Sequence, residues 1–242
     1  MPSLQPYSRD LDYSYALGLF PAMEALTKRP QSVRRMLLHS STASSASLDE
    51  LLRLCAIHNI RVEQAGRILS RLSGKDNVFA AAVVGKEELP LLAAGNHLVL
   101  HHPSDKGNLG TILRSALGFG FLDIAIIRPA ADHWDPQVLR ASMGASFSLR
   151  ISAYDRFEEY RTAYPEQTLY PLMLEGSTSL QSVVQTHARP YALITGNEGS
   201  GLPDEFAGMG CPVRIPHSQS IDSLNLAVAA SIAMYAFSQN ND

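Results

Sequence analysis

The chain reads as α/β, with a parallel sheet in its larger part and a smaller α/β module ahead of it. Two observations predict this. From residue 97 onward, short apolar and β-branched runs alternate with segments of helical period, the pattern of a parallel sheet covered on both faces. The stretch Gly85 to Gly95, GKEELPLLAAG, mixes charge, proline and glycine as linkers do, and divides the chain into residues 1–90 and 91–242.

In the first part, Gly18–Lys28 has helical spacing and Val33–His39 reads as a strand carrying the basic pair Arg34 and Arg35. A serine-rich loop over Ser40–Ser47 leads into a helix whose cap is Ser45 or Ser47, followed by the acidic first turn Asp49–Glu50. Ile60–Val62 is a short strand, Gln64–Leu72 a helix and Val78–Val84 an apolar strand. In the second part the expected strands are His97–His101, Ile124–Ile127, Leu169–Leu174, Tyr191–Thr195 and Val213–Ile215. The helices between and after them are Leu109–Leu117, Pro136–Met143, Arg156–Tyr164, Pro203–Gly208 and Ser223–Ser238.

Composition sets the limits. The 242 residues are 45% hydrophobic and 18% charged, which is ordinary for a globular protein. No apolar run reaches the length of a membrane span, and the polar start Met1–Asp10 lacks a signal core, so the expected compartment is the cytoplasm. Cys55 and Cys211 form neither a disulfide framework nor a zinc site. Net charge is −3; residues 1–90 carry +2 and residues 91–242 carry −5. A nucleic-acid partner therefore has to be argued from motifs, with the front part as the better place for phosphate contact.

Three segments carry chemistry. In the first, a strand ends at His101-His102, a polar loop follows, and a helix starts near Asn108, a good N-cap residue, with Arg114 further along it. Alone, this reads best as a plain capped helix with a surface arginine. The adjacent histidines point to opposite strand faces and do not suit one metal. In the second, the strand Tyr191–Thr195 runs into Gly196, Gly199 and Gly201, then Pro203. Glycines there allow close backbone approach to a ligand, yet the loop lacks the Lys-Ser/Thr of a phosphate loop and carries Glu198, which repels phosphate. In the third, a strand reaches Pro216 and an alanine-rich helix begins around Ser223, with Ser223 and Asn225 at its polar mouth.

In order, Asn108-x-Gly110-x-x-x-Arg114, Gly196-Asn197-Glu198-Gly199-x-Gly201-Leu202, and Ile215-Pro216 leading to Ser223-Leu224-Asn225 resemble the three motifs of the SpoU/TrmH family of RNA ribose methyltransferases. Arg140–Phe147 is similar to the small-residue turn that family carries between its first two motifs. The resemblance covers about residues 96–240, and residues 17–85 more weakly resemble the ribosomal-protein-like RNA-binding module found ahead of it.

The resemblance implies an α/β-knot (SPOUT trefoil) catalytic domain, a homodimer, and no metal. It implies S-adenosylmethionine as cofactor, held by Leu174, Glu175, Gly176, Thr195, Gly196, Asn197, Gly199, Gly201, Ile215, His217, Leu224 and Asn225. The reaction moves a methyl group to a ribose 2′-hydroxyl, of large-subunit rRNA first and of tRNA second. The implied catalytic set is Arg114, Asn108, Glu198, Ser223 and Asn225, and Arg34, Arg35 and Arg114 are the RNA contacts. A guanidinium stays protonated, so Arg114 serves better as a fixed cation facing a developing alkoxide than as a base, with Glu198 orienting it.

Two rivals remain at this point. One is a knot-fold protein that binds RNA without methylating it. The other is a nucleotide-binding oxidoreductase using the Gly196 loop, with Asp222 near the distance expected of a ribose-binding acid; Pro203 and the short following helix suit it poorly.

Overall fold

The computed structural model describes residues 4–73, 78–175 and 178–239. The chain forms two compact units: Met1–Glu87 with Asp132–Ser148, and Glu88–Ala131 with Leu149–Asp242. The boundary near residue 87 lies in the expected linker. Residues 132–148, expected in the second part, instead cluster with the first unit. The reason is packing: Trp134, Leu139 and Phe147 sit in one apolar core with Ala22, Leu26, Met36 and Leu51.

The first unit runs β1 (Tyr13–Leu17), α1 (Leu19–Lys28), β2 (Val33–Leu38), α2 (Ala46–Ile57), β3 (Val62–Gln64), α3 (Gly66–Ser73) and β4 (Ala80–Gly85). Its sheet has the order β1-β4-β2-β3. Strand alternation sends Ala80, Ala82 and Val84 to one core and Ala81 and Val83 to the other, which is why β4 is apolar at nearly every position. Ser45 caps α2 by accepting from the Leu48 amide at 3.2 Å, as one of the two expected serines. β1 lies ahead of the elements expected from the sequence, which start at Gly18; the expected strand Ile60–Val62 is β3, shifted by two residues. Parallel pairing with Met36–Leu38 sets its register at Val62–Gln64.

The second unit holds β5 (His97–His101), α4 (Lys106–Gly118) and β6 (Asp123–Ile127) before the chain visits the first unit through α5 (Pro136–Ala141). It returns with β7 (Arg150–Tyr154), α6 (Phe157–Ala163), β8 (Thr168–Pro171), β9 (Thr178–Ser179), α7 (Leu180–Val183), β10 (Tyr191–Thr195), β11 (Val213–Arg214) and α8 (Leu226–Ser238). The five-stranded sheet β7-β6-β5-β10-β8 is parallel throughout, and β9 pairs with β11 beside it. One face packs Val99, Ala125, Ile127 and Ile194 against Phe157, Tyr160 and Phe206. On the other, Tyr191 meets Phe237 of α8 at 5.1 Å between ring centroids.

Four expectations shift here. β7 was missed because it is an edge strand with mostly half-buried residues. The segment expected as a helix over Pro203–Gly208 is a 3₁₀ turn over Asp204–Gly208. β8 ends at Pro171 rather than Leu174. α8 begins at Leu226, three residues later than expected, because Asn225 is its cap.

Strand order reverses at the centre of this sheet. β5 continues to β6 on one side and pairs with β10 on the other, so the carboxyl ends of β5 and β10 lie side by side, with Leu100 opposite Thr195. Ligands of open parallel sheets bind in the crevice beyond such a reversal. At the other end of the sheet, buried Asp123 accepts two hydrogen bonds of 2.6 Å from the Arg150 guanidinium and one of 2.8 Å from the Leu92 amide. Replacing Asp123 by alanine leaves Arg150 and that amide unpaired. We expect a loss of about 3 kcal/mol in urea unfolding; an unchanged midpoint would show that solvent replaces the pair.

Candidate functional site

β5 ends in the tight turn at His102, whose φ of 57° is unusual for a residue with a side chain. Asp105 then caps α4, its Oδ1 accepting from the Asn108 amide at 2.7 Å. Asn108, expected as the cap, instead lies in the first turn. Two residues able to cap stand three apart, and the earlier one takes the role.

Glu198 faces this loop. Its Oε2 accepts from the Ser104 amide at 3.0 Å and the Ser104 hydroxyl at 2.7 Å, and its Oε1 from the Asp105 amide at 3.0 Å. Burial by itself raises the carboxyl pKa, but the donors of Ser104 and Asp105 outweigh it and hold Glu198 below its ordinary range. Asn197 reinforces the junction, donating from Nδ2 to the His102 carbonyl at 2.8 Å. Ser104 and Asp105 were not singled out from the sequence. Their signal was a pair of short polar residues directly before a helix.

The glycine loop closes on itself. Asn197 and Gly201 exchange backbone hydrogen bonds of 3.1 and 3.0 Å, and Asn197 Oδ1 accepts from the Gly199 and Ser200 amides. A Cβ on Gly196 would lie 2.1 Å from the Gly201 carbonyl carbon, and Gly201 has φ of 69°. The bare Cα of Gly196 thus admits the loop's own backbone, where the sequence suggested a ligand.

Asn225 caps α8 through Oδ1, which accepts from the Ala227 and Val228 amides at 2.9 and 3.3 Å. Its Nδ2 donates to Asn108 Oδ1 at 3.1 Å, so the first and third motifs touch. Further along, Ser231 donates to Ser115 at 2.8 Å, joining α8 to α4. Ser223 is exposed in the preceding turn and has no hydrogen bond among the described residues.

Arg114 is exposed and has neither hydrogen bond nor ion pair among the described residues. The expected pair with Glu198 is not formed. α4 starts at Lys106, so Arg114 lies about 13 Å along the helix from its cap, whereas the Glu198 carboxylate is held at the cap itself. In the first unit, Arg34 donates to Asp12 at 2.9 Å and Arg35 lies 3.6 Å from Glu63, so both expected RNA contacts already have acidic partners.

Of the implied cofactor residues, Leu174, Glu175, Thr195, Gly196, Asn197, Ile215 and His217 lie at or beyond three neighbouring strand ends, while Leu224 and Asn225 precede α8. The Leu172 amide donates to the Ile194 carbonyl at 2.8 Å and the Met173 amide to the Val213 carbonyl at 2.9 Å. This sets Leu174 and Glu175, Thr195–Asn197, and Ile215–His217 on adjacent ends of β8, β10 and β11. Leu174 and Glu175 are exposed, Ile215 and Leu224 are half-buried, and His217 Nδ1 is 3.0 Å from the Ile215 carbonyl. Thr195 is buried and its hydroxyl has no hydrogen-bond partner among the described residues. Gly176 lies outside the described residues. Gly199 and Gly201 are exposed on the loop.

The lowered pKa of Glu198 fixes a pH dependence. Its contribution to loop order is present above the ordinary glutamate value of 4.5 and is lost as pH falls through the lower folded value. Glu198→Gln removes that charge at every pH. Hydrogen exchange of the Ser104 and Asp105 amides should quicken about tenfold near neutral pH. Unchanged exchange at these two amides would show that the carboxylate does not hold the loop.

Residues 95–235 match the model of the SpoU rRNA methylase family. The ribosomal RNA small subunit methyltransferase G 2 of Syntrophobacter fumaroxidans is 33% identical over 138 residues, which is 56% of this chain and 26% of that protein. The 23S rRNA (uridine(2479)-2′-O)-methyltransferase of Streptomyces viridochromogenes is 28% identical over 218 residues, 84% of this chain and 75% of that one. Against the first three curated relatives the chain spans 26%, 51% and 62% of their length. The crystal structure of the SpoU methyltransferase AviRb from Streptomyces viridochromogenes in complex with AdoMet superposes with a TM-score of 0.78 at 25% identity, covering 94% of this chain and 90% of that one. With more than half of its length matched by the family model, and with the same mostly parallel α/β fold, the chain belongs to the SpoU rRNA methylase family.

Proposed function

We propose that this protein transfers the methyl group of S-adenosylmethionine to a ribose 2′-hydroxyl of RNA, with large-subunit rRNA as the first substrate class and tRNA as the second. The observation that carries this reading is the joining of three motif loops at the carboxyl end of the sheet: Glu198 to Ser104 and Asp105, and Asn225 to Asn108.

The strand ends fit the cofactor. Thr195 offers a buried hydroxyl without a partner among the described residues, Leu174 and Ile215 offer apolar surface, and the ends of β8, β10 and β11 bring backbone amides and carbonyls within reach of an adenosine. When bound there, the cofactor supplies a methyl group already activated on a sulfonium. What is left to the protein is alignment and the fate of one proton. Arg114, exposed and unpaired among the described residues, stands as a fixed cation for the developing alkoxide. Asn108 and Asn225 support the ribose side, and Glu198 acts as a positioning residue by holding the loop that starts α4.

We further propose that the segment from Val213 through α8 is the threaded part of an α/β knot and that the protein is a homodimer. Val228, Ile232 and Tyr235 form an exposed apolar stripe on α8 at helical spacing, a face suited to a second copy of the chain. The first unit is the proposed RNA-binding module, with Arg34 as an exposed contact that must leave Asp12 to engage a phosphate.

Arg114→Ala separates binding from transfer. Affinity for S-adenosylhomocysteine by calorimetry should stay within about twofold, while methyl transfer to RNA lacking its own 2′-O-methyl marks should drop about a hundredfold or more. Full transfer by the variant would remove Arg114 from the mechanism. A wild-type protein that neither binds the cofactor nor transfers methyl would favour RNA binding without catalysis.

A further inference from the structure

An open hollow of about 530 Å³ lies beyond the carboxyl ends of β5, β6 and β10, within the range of small-molecule sites. His102, Ser104, Asn197 and Ser200 form its polar edge, and the Pro129–Ala131 turn its wall. The Ala131 amide donates to the Pro103 carbonyl at 2.7 Å, which ties that turn to the loop after β5.

Accounting for hydrogen bonds shows what is left for a ligand. The Asn197 amide is spent on the His102 carbonyl and on the Gly199 and Ser200 amides, so it is wall. The Ser104 hydroxyl gives its hydrogen to Glu198 and can only accept. The His102 ring nitrogens and the Ser200 hydroxyl have no hydrogen-bond partner among the described residues. The His102 ring is stacked on His101, with centroids 3.8 Å apart. His102 is held at φ of 57° by two long-range bonds: its amide donates to the Ile127 carbonyl at 3.1 Å, and its carbonyl accepts from Asn197. A costly backbone conformation fixed from two sides is what a presented side chain requires.

Among the described residues, no lysine, arginine, aspartate or glutamate lines the hollow. A phosphate would find no cation there. A flat, neutral group with donors and acceptors on its edge matches the unspent imidazole, the unspent hydroxyl and the small apolar wall.

We propose that this hollow takes a nucleobase of the RNA strand being methylated, and that His102 and Ser200 set which base is accepted. This rests on the methyltransferase reading for its RNA, but not for its test. A nucleobase could also come from the cofactor's adenine, so the experiment carries an arm for each source.

The probes are fluorescent octamers of adenylate, cytidylate, guanylate and uridylate, and S-adenosylhomocysteine. The proteins are the full chain, His102→Asn and Ser200→Ala. Asparagine tolerates positive φ and so removes the ring while keeping the turn; Ser200→Ala answers alone if the first variant fails to fold. Wild type should discriminate among the four octamers about tenfold. His102→Asn should compress that spread to about twofold and Ser200→Ala should change the preferred base, with affinity for S-adenosylhomocysteine unchanged in both. An unchanged spread in both variants, no spread in wild type, or a matching loss of affinity for S-adenosylhomocysteine would each overturn the proposal. A wild type that transfers no methyl, yet loses its base preference in the variants, would remove the enzymatic reading and leave the base site standing.

Discussion

The Glu198 carboxylate ties together two loops that would otherwise end independently. Each of its oxygens is engaged by the Ser104–Asp105 segment, with two backbone amides and one hydroxyl donating to it. Among the described residues no cation takes part. Charge-assisted bonds from backbone amides are stronger than neutral ones, and they are directional, so the glutamate fixes the position and not merely the proximity of the two loops. It can do so because the parallel register of β5 with β10 delivers their ends side by side at the reversal of strand order.

The rest of the site hangs from that junction. The loop it holds supplies Asp105, the cap of α4, and α4 carries both Asn108 and Arg114. Asn225 then serves twice, ending the open backbone of α8 and reaching Asn108 with its other amide atom. The three motifs are thus coupled through helix caps, which orient whole helices, and not through ion pairs between the functional side chains. Among the described residues Arg114 has no ion pair, and a cation without a paired counter-charge keeps its field for a substrate.

Much of this was legible in the sequence, for identifiable reasons. The inner strands β5, β6 and β10 are buried on both faces, so their central positions are apolar and the runs stand out, with polar residues only at the ends: His97, His101, Asp123 and Thr195. The edge strands β1 and β7 were not read, since one side of each edge is open and polar residues interrupt the pattern. The return of residues 132–148 to the first unit could not be read at all. Trp134, Leu139 and Phe147 announce that they will be buried, but nothing in a side chain says in which core. At the site, Asn108 and Asn225 were grouped only as members of the implied catalytic set, and their direct contact is a finding of the structure. The partner of Glu198 was not legible either: a carboxylate and a guanidinium in neighbouring motifs suggest a pair, whereas two backbone amides, invisible in a one-letter sequence, satisfy the acid first.

The central claim is that the joined loops leave a cofactor cleft at the ends of β8, β10 and β11. The most direct measurement is a crystal structure of the protein with S-adenosylhomocysteine. The account predicts the ligand between Leu174, Thr195–Gly196 and Ile215, with the Glu198 contacts to Ser104 and Asp105 intact. Density for the ligand elsewhere, or a bound state in which Glu198 has left that loop, would contradict it.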